Sequence, residues 1–187
     1  MTDTRGIVYI ALFAAVVAAL GVFPPLTLPL IGVPITAQTL GVMLAGAILG
    51  SLRGGLALLL FLVLVAVGVP ILAGGRGGFG VILGPSGGFL LSWPIAAFAI
   101  GWMVERRWRH LTIVNAFAIN VLGGVVLIYA CGIPWLVMLG QVPWDKALLG
   151  TLGFLLGDLI KAGLAAFVAV TVKRTYPIIA PSRGTAG

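Results

Sequence analysis

Gly157-Asp158-Leu159-Ile160-Lys161 sets an acid and a base three residues apart inside an apolar run. Leu152-Gly-Phe-Leu-Leu156 precedes it and Ala162-Gly-Leu-Ala-Ala-Phe-Val-Ala-Val170 follows. A helix through this stretch puts Asp158 and Lys161 on one face, because positions i and i+3 are neighbours on a helix. An ionisable group in hydrocarbon costs several kcal/mol unless it is paired or faces a cavity, which makes such residues functional candidates. Three readings stand for the pair: an ion pair locking two helices, a polar pocket that hydrogen-bonds a ligand, or a proton relay.

Only 8% of the 187 residues are charged and the mean hydropathy is +1.23, which points to an integral membrane protein built as one domain, 1–187. The first apolar run carries no cleavage-site pattern of a secretory signal. Cys131 is the single cysteine and His110 the single histidine. One of each excludes a disulfide framework and leaves no metal cluster within the chain. No Ser/His or His/Glu set accompanies the acid and base, so the expectation is a protein that is no enzyme and holds no cofactor.

Outward from the pair, six apolar spans are expected at roughly 7–22, 36–50, 54–67, 89–104, 111–130 and 155–173, an all-α membrane fold. Lys146 to Val172 would be about 40 Å of helix, against a hydrocarbon core of about 30 Å. A break at Gly150, Gly153 or Gly157 is therefore expected. That break would put Asp158 and Lys161 in the first two turns of the last span.

Six spans bring both termini to one side. Arg5, Arg53, Arg106, Arg107, Arg109, Lys173, Arg174 and Arg183 fall there, with only Arg76 and Lys146 opposite. This bias marks the basic side as cytoplasmic and accounts for the net charge of +7 without nucleic acid.

The other side then collects the irregular segments. Phe23 to Pro34 holds four prolines, which forbid a helix, so an apolar loop packed as a lid is expected. Thr36-Ala37-Gln38-Thr39 opens the second span, its polar side chains capping the helix or pointing into a cavity. Ser51-Leu52-Arg53 reads as a tight connection on the basic side. Gly68 to Gly88 contains nine glycines, Gly84 among them, and the lone Arg76, whose fork suits a carboxylate. It lacks the Gly-Lys-Ser/Thr of a phosphate loop. Asn120, midway along the fifth span, is a ligand candidate or a bridge between helices, and Tyr129 lies near that span's end. Cys131 to Gln141, with Trp135, reads as a loop or broken helix. Together these groups suit a small ligand with an anionic end and a neutral polar head. Ala11 and Ala15 lie on one face of the first span, fit either for internal packing or for docking another subunit.

Five segments in order, Ile31-Gly-Val-Pro-Ile-Thr-Ala-Gln-Thr39, Ala45-Gly-Ala-Ile-Leu-Gly-Ser-Leu-Arg-Gly54, Val69-Pro-Ile-Leu-Ala-Gly-Gly-Arg-Gly-Gly78, Leu83-Gly-Pro-Ser-Gly-Gly88 and Gly157-Asp-Leu-Ile-Lys161, resemble the BioY family. These are the biotin-specific S components of energy-coupling factor (ECF) transporters. The resemblance reaches to about Arg174. It departs at Ser86, where threonine is expected, and at Phe154-Leu155-Leu156, where many members carry a proline.

The resemblance implies a six-helix bundle in the bacterial cytoplasmic membrane that takes up biotin from the outer side. It implies that Asp158 and Lys161, helped by Asn120, contact the ureido ring and that Arg76 takes the carboxylate. Gln38, Thr36, Gly84, Tyr129 and Trp135 complete the expected site. Its implied partners are a transmembrane T component, docked at Ala11 and Ala15, and a pair of ABC ATPases that hydrolyse ATP, within membrane lipid. The contrasting reading is a self-contained oligomeric ion-coupled carrier of a small anionic solute, a homo-oligomer with Asp158 as its proton site.

Overall fold

A computed structural model describes residues 4–27, 33–140, 142–176 and 178–179. Helix α1 (Thr4–Leu20) leads into a two-stranded hairpin, β1 (Leu26–Thr27) with β2 (Pro34–Ile35), in which Leu26 faces Ile35 and Thr27 faces Pro34. Helices α2 (Gln38–Leu49), α3 (Ser51–Ala66), the short α4 (Phe79–Leu83), α5 (Gly87–Arg106), α6 (Ile113–Val121), α7 (Ile128–Gly140) and α8 (Trp144–Thr175) follow. The middle of the proline-rich segment expected as a lid, 28–32, lies outside the described residues.

The core is where α2, α3 and α5 meet, with Met43, Leu58, Phe61 and Ile100 fully buried. The outer surface is apolar as well: Val63, Ile95, Phe98, Leu156, Ile160 and Phe167 are all exposed. Water would penalise such an exterior, whereas lipid tails match it. Among the described residues three helical stretches are long and apolar enough to cross a membrane: Gly87–Arg106, Ile113–Leu139 and Trp144–Thr175. Thr4–Leu20, Gln38–Leu49 and Ser51–Ala66 are apolar and shorter.

Three expectations are corrected. Ser51, Leu52 and Arg53 belong to α3, and the connection from α2 is Gly50 alone, at φ 85°. Glu105 at the end of α5 makes this joint, accepting from the Ser51 backbone N–H at 2.7 Å and its hydroxyl at 2.8 Å. A carboxylate there satisfies an orphan donor and complements the positive end of α3.

Cys131 to Gly140 is helix, not loop, despite Pro134. Helix α6 runs into α7 through a π-helical segment, Leu122–Leu127. Its glycines let neighbours close in, since a Cβ at Gly123 would strike Ile100 and one at Gly124 would strike Met43. Insertions of this kind relax the helical ladder without ending it.

Helix α8 is also unbroken over 32 residues, with Gly150, Gly153 and Gly157 inside it. A helical glycine costs only about 1 kcal/mol, while backbone groups freed in an apolar setting cost more. Asp158 and Lys161 therefore stand mid-helix rather than in its first two turns.

Candidate functional site

Thr39 on α2, Tyr129 on α7, and Asp158 and Lys161 on α8 converge on one buried network. Lys161 Nζ donates to Asp158 Oδ1 at 2.9 Å, to the Thr39 hydroxyl at 3.0 Å and to the Thr36 carbonyl at 2.7 Å. Asp158 Oδ1 also accepts from the Thr39 hydroxyl at 3.1 Å, and Oδ2 accepts from the Tyr129 phenol at 2.7 Å. Asp158 is 4% exposed. The Lys161 side chain is 14% exposed, and with both charges so far from water they must be paired and hydrogen-bonded, as they are.

This network forms the polar wall of a cavity of about 60 Å³. Phe89, Leu90 and Trp93 of α5, Phe154 of α8 and Leu72 supply apolar walls, while Arg76 lines the cavity from the loop between α3 and α4. An apolar cavity with a few convergent polar groups is the usual form of a small-molecule site. The hairpin's Val33, Pro34 and Ile35 line it too. A larger cavity, about 310 Å³, opens near Arg106 and holds none of these groups. Size alone therefore does not locate the site; the buried charges do.

Arg76 is held by its own loop. Leu72 and Arg76 exchange backbone hydrogen bonds of 3.0 and 3.2 Å across a tight turn. Gly74 and Gly75 adopt φ of 79° and 68° within it, a conformation that side chains disfavour. Arg76 Nε donates to the Ala73 carbonyl at 3.2 Å, and among the described residues nothing else takes its terminal nitrogens, which suit an anion. Partial burial lowers the Arg76 pKa from its ordinary value, and arginine stays cationic nonetheless.

The loop itself is anchored by Gln38, which is fully buried. Its Nε2 donates to the carbonyls of Val17 and Ile71, both at 3.0 Å, and its Oε1 accepts from Ala73 N–H at 3.0 Å. Gln38 thus ties α1 to the Arg76 loop and holds that loop in place.

Of the residues expected at the site, Thr36, Gln38, Arg76, Tyr129, Asp158 and Lys161 line one cavity. Thr36 acts through its carbonyl. Gly84 and Trp135 meet each other instead, the indole N–H donating to the Gly84 carbonyl at 3.0 Å, and neither is among the cavity's lining residues. Asn120 does not reach the cavity either. It is fully buried, neither amide atom has a partner among the described residues, and it precedes the lining residue Ile128 by two turns, about 12 Å along the helix. Ala11 and Ala15 are both exposed on α1, whose inward face is Gly6, Ala14 and Val17, so internal packing does not use them.

Thr39 is the member of the polar network that sequence reasoning left out of the site, although it stood in Thr36-Ala37-Gln38-Thr39 at the start of a helix, and the apolar walls from α5 and Phe154 were left out with it. It belongs to the network because it donates to one member of the ion pair and accepts from the other.

Comparison with known proteins agrees with this architecture. The BioY family model matches residues 1–178. The chain is 44% identical to a biotin transporter BioY of Rhizobium etli, over 97% of this chain and 99% of that protein. It is 46% identical to a biotin transporter BioY of Rhodobacter capsulatus, over 96% and 99%. A crystal structure of the S-component for biotin from an ECF-type ABC transporter matches with a TM-score of 0.89 at 31% identity, covering 95% of this chain and 97% of that one. Since likeness in both sequence and fold runs nearly end to end, the chain belongs to the BioY family.

Proposed function

We propose that this protein captures biotin and passes it across the bacterial cytoplasmic membrane as the S component of an ECF-type transporter. One observation carries the reading: a buried Asp158–Lys161 pair, closed by Thr39 and Tyr129, forms the polar wall of an apolar cavity that Arg76 also lines. The ureido ring of biotin is a neutral donor and acceptor head, and its valerate ends in a carboxylate. Asp158 accepts three hydrogen bonds and keeps room for a fourth, from a ureido N–H. Lys161 has spent all three donors, so the ureido carbonyl reaches it by replacing one of their acceptors. Arg76 takes the carboxylate through its free terminal nitrogens.

In this reading six helices cross the membrane with both termini and the basic turns at the cytoplasmic face. The chain hydrolyses nothing itself. A transmembrane T component docks on the exposed Ala11 and Ala15 face, and a pair of ABC ATPases supplies the energy.

The test is biotin binding to the purified protein in detergent, with Asp158→Asn as the control. Tight binding that the variant loses supports the reading. Well-folded protein that binds no biotin would overturn its specificity.

A further inference from the structure

We infer that the cavity between the end of α5 and the start of α6 is a site for an anionic phospholipid headgroup, separate from the buried charge network. It measures about 310 Å³, and its lining includes Arg106, Arg107, Asn115, Trp102 and Leu122. The Arg106 guanidinium lies 3.9 Å over the Trp102 ring, which holds it in place without neutralising it. Among the described residues neither arginine has a carboxylate within ion-pair distance. The adjacent acid, Glu105, is spent on Ser51.

Two guanidiniums with no counter-ion suit a phosphodiester. Asn115, in the first turn of α6, adds an amide to the lining. A phospholipid is favoured over free phosphate by the other half of the lining. Trp102 and Leu122 are 43% and 54% exposed, and Val126, a turn beyond Leu122, is 53% exposed. They offer an apolar track for an acyl chain leading away from the arginines. Both helical stretches that form the cavity, Gly87–Arg106 and Ile113–Leu139, are long and apolar enough to cross a membrane, and basic clusters between such helices are recognised headgroup sites. The inference depends on membrane insertion and not on biotin.

The test is native mass spectrometry of the purified full chain in detergent, titrated with phosphatidylglycerol or phosphatidylcholine. Wild type should prefer phosphatidylglycerol by about tenfold or more, two arginines each contributing. Arg106→Gln/Arg107→Gln should bring the two lipids to within about twofold of each other, while Arg109→Gln, which removes a charge outside the lining, should keep the preference. Ala118→Phe fills the cavity with both charges intact and should also lose it. Thermal unfolding in detergent reports whether each variant is folded. The inference is overturned by equal retention of both lipids in wild type, by a preference that survives both the double variant and Ala118→Phe, or by an equal loss in Arg109→Gln. Displacement of phosphatidylglycerol by millimolar inorganic phosphate would also overturn it, because the site would then read phosphate alone.

Discussion

Tyr129 and Asp158, 29 residues apart in the chain, meet with the phenol donating to Oδ2 at 2.7 Å. The bond joins α7 to α8 and fixes the carboxylate's orientation, leaving Oδ1 to Lys161 and Thr39. The carboxylate is thus oriented before a ligand arrives, which lowers the cost of binding at that group.

Asp158→Asn keeps the side chain's shape but removes the charge opposite Lys161. Breaking a buried, hydrogen-bonded pair from one side costs about 3–5 kcal/mol. Calorimetry should show biotin affinity falling by at least about 100-fold, and thermal unfolding in detergent should show a lower midpoint. Unchanged affinity in both Asp158→Asn and Lys161→Ala would remove the pair from the site.

Tyr129→Phe deletes one hydrogen bond to a charged acceptor, worth about 1.5–3 kcal/mol. Thr39→Val deletes the hydroxyl that bridges acid and base while keeping its volume. Each should weaken biotin by about 10-fold or more, less than Asp158→Asn does. A Thr39→Val protein with wild-type affinity would make that hydroxyl a bystander.

Arg76→Ala should weaken biotin by about 10- to 100-fold, as expected for a charged hydrogen-bonded contact, and should barely affect a biotin amide that lacks the carboxylate. Equal losses for both ligands would take Arg76 off the tail.

Gln38→Leu frees the Ile71 and Ala73 backbone groups and so loosens the Arg76 loop. It should therefore copy Arg76→Ala in discriminating biotin from its amide, and add little in the Arg76→Ala background. Additive losses in that double-mutant cycle would mean that Gln38 acts independently of Arg76.

Ala11→Phe and Ala15→Phe place bulk on an exposed face that the fold does not use. Biotin binding should be unchanged while copurification with the T component and uptake both fall. Normal copurification and uptake would show that docking occurs elsewhere.

Composition and local spacing determined much of this protein. An apolar chain with few charges reads as membrane helices, and Asp158 and Lys161 share a face because a helix repeats every 3.6 residues. Gly74 and Gly75 mark the turn that carries Arg76, because few other residues accept its backbone angles. The family resemblance was legible for the same reason: its motifs are short, local and in order. What only the tertiary structure decided depends on contacts between distant parts of the chain. Thr39 joins the network across 119 positions to Asp158, and Lys161 reaches the Thr36 carbonyl across 125. Nothing at Thr39 alone distinguishes a capping hydroxyl from one that closes an ion pair. Gln38 reads from sequence as a ligand contact alone, whereas the structure also gives its amide to the backbone of Val17, Ile71 and Ala73. The continuity of α8 is tertiary too, since its glycines weaken a lone helix, while the apolar surroundings penalise a break far more.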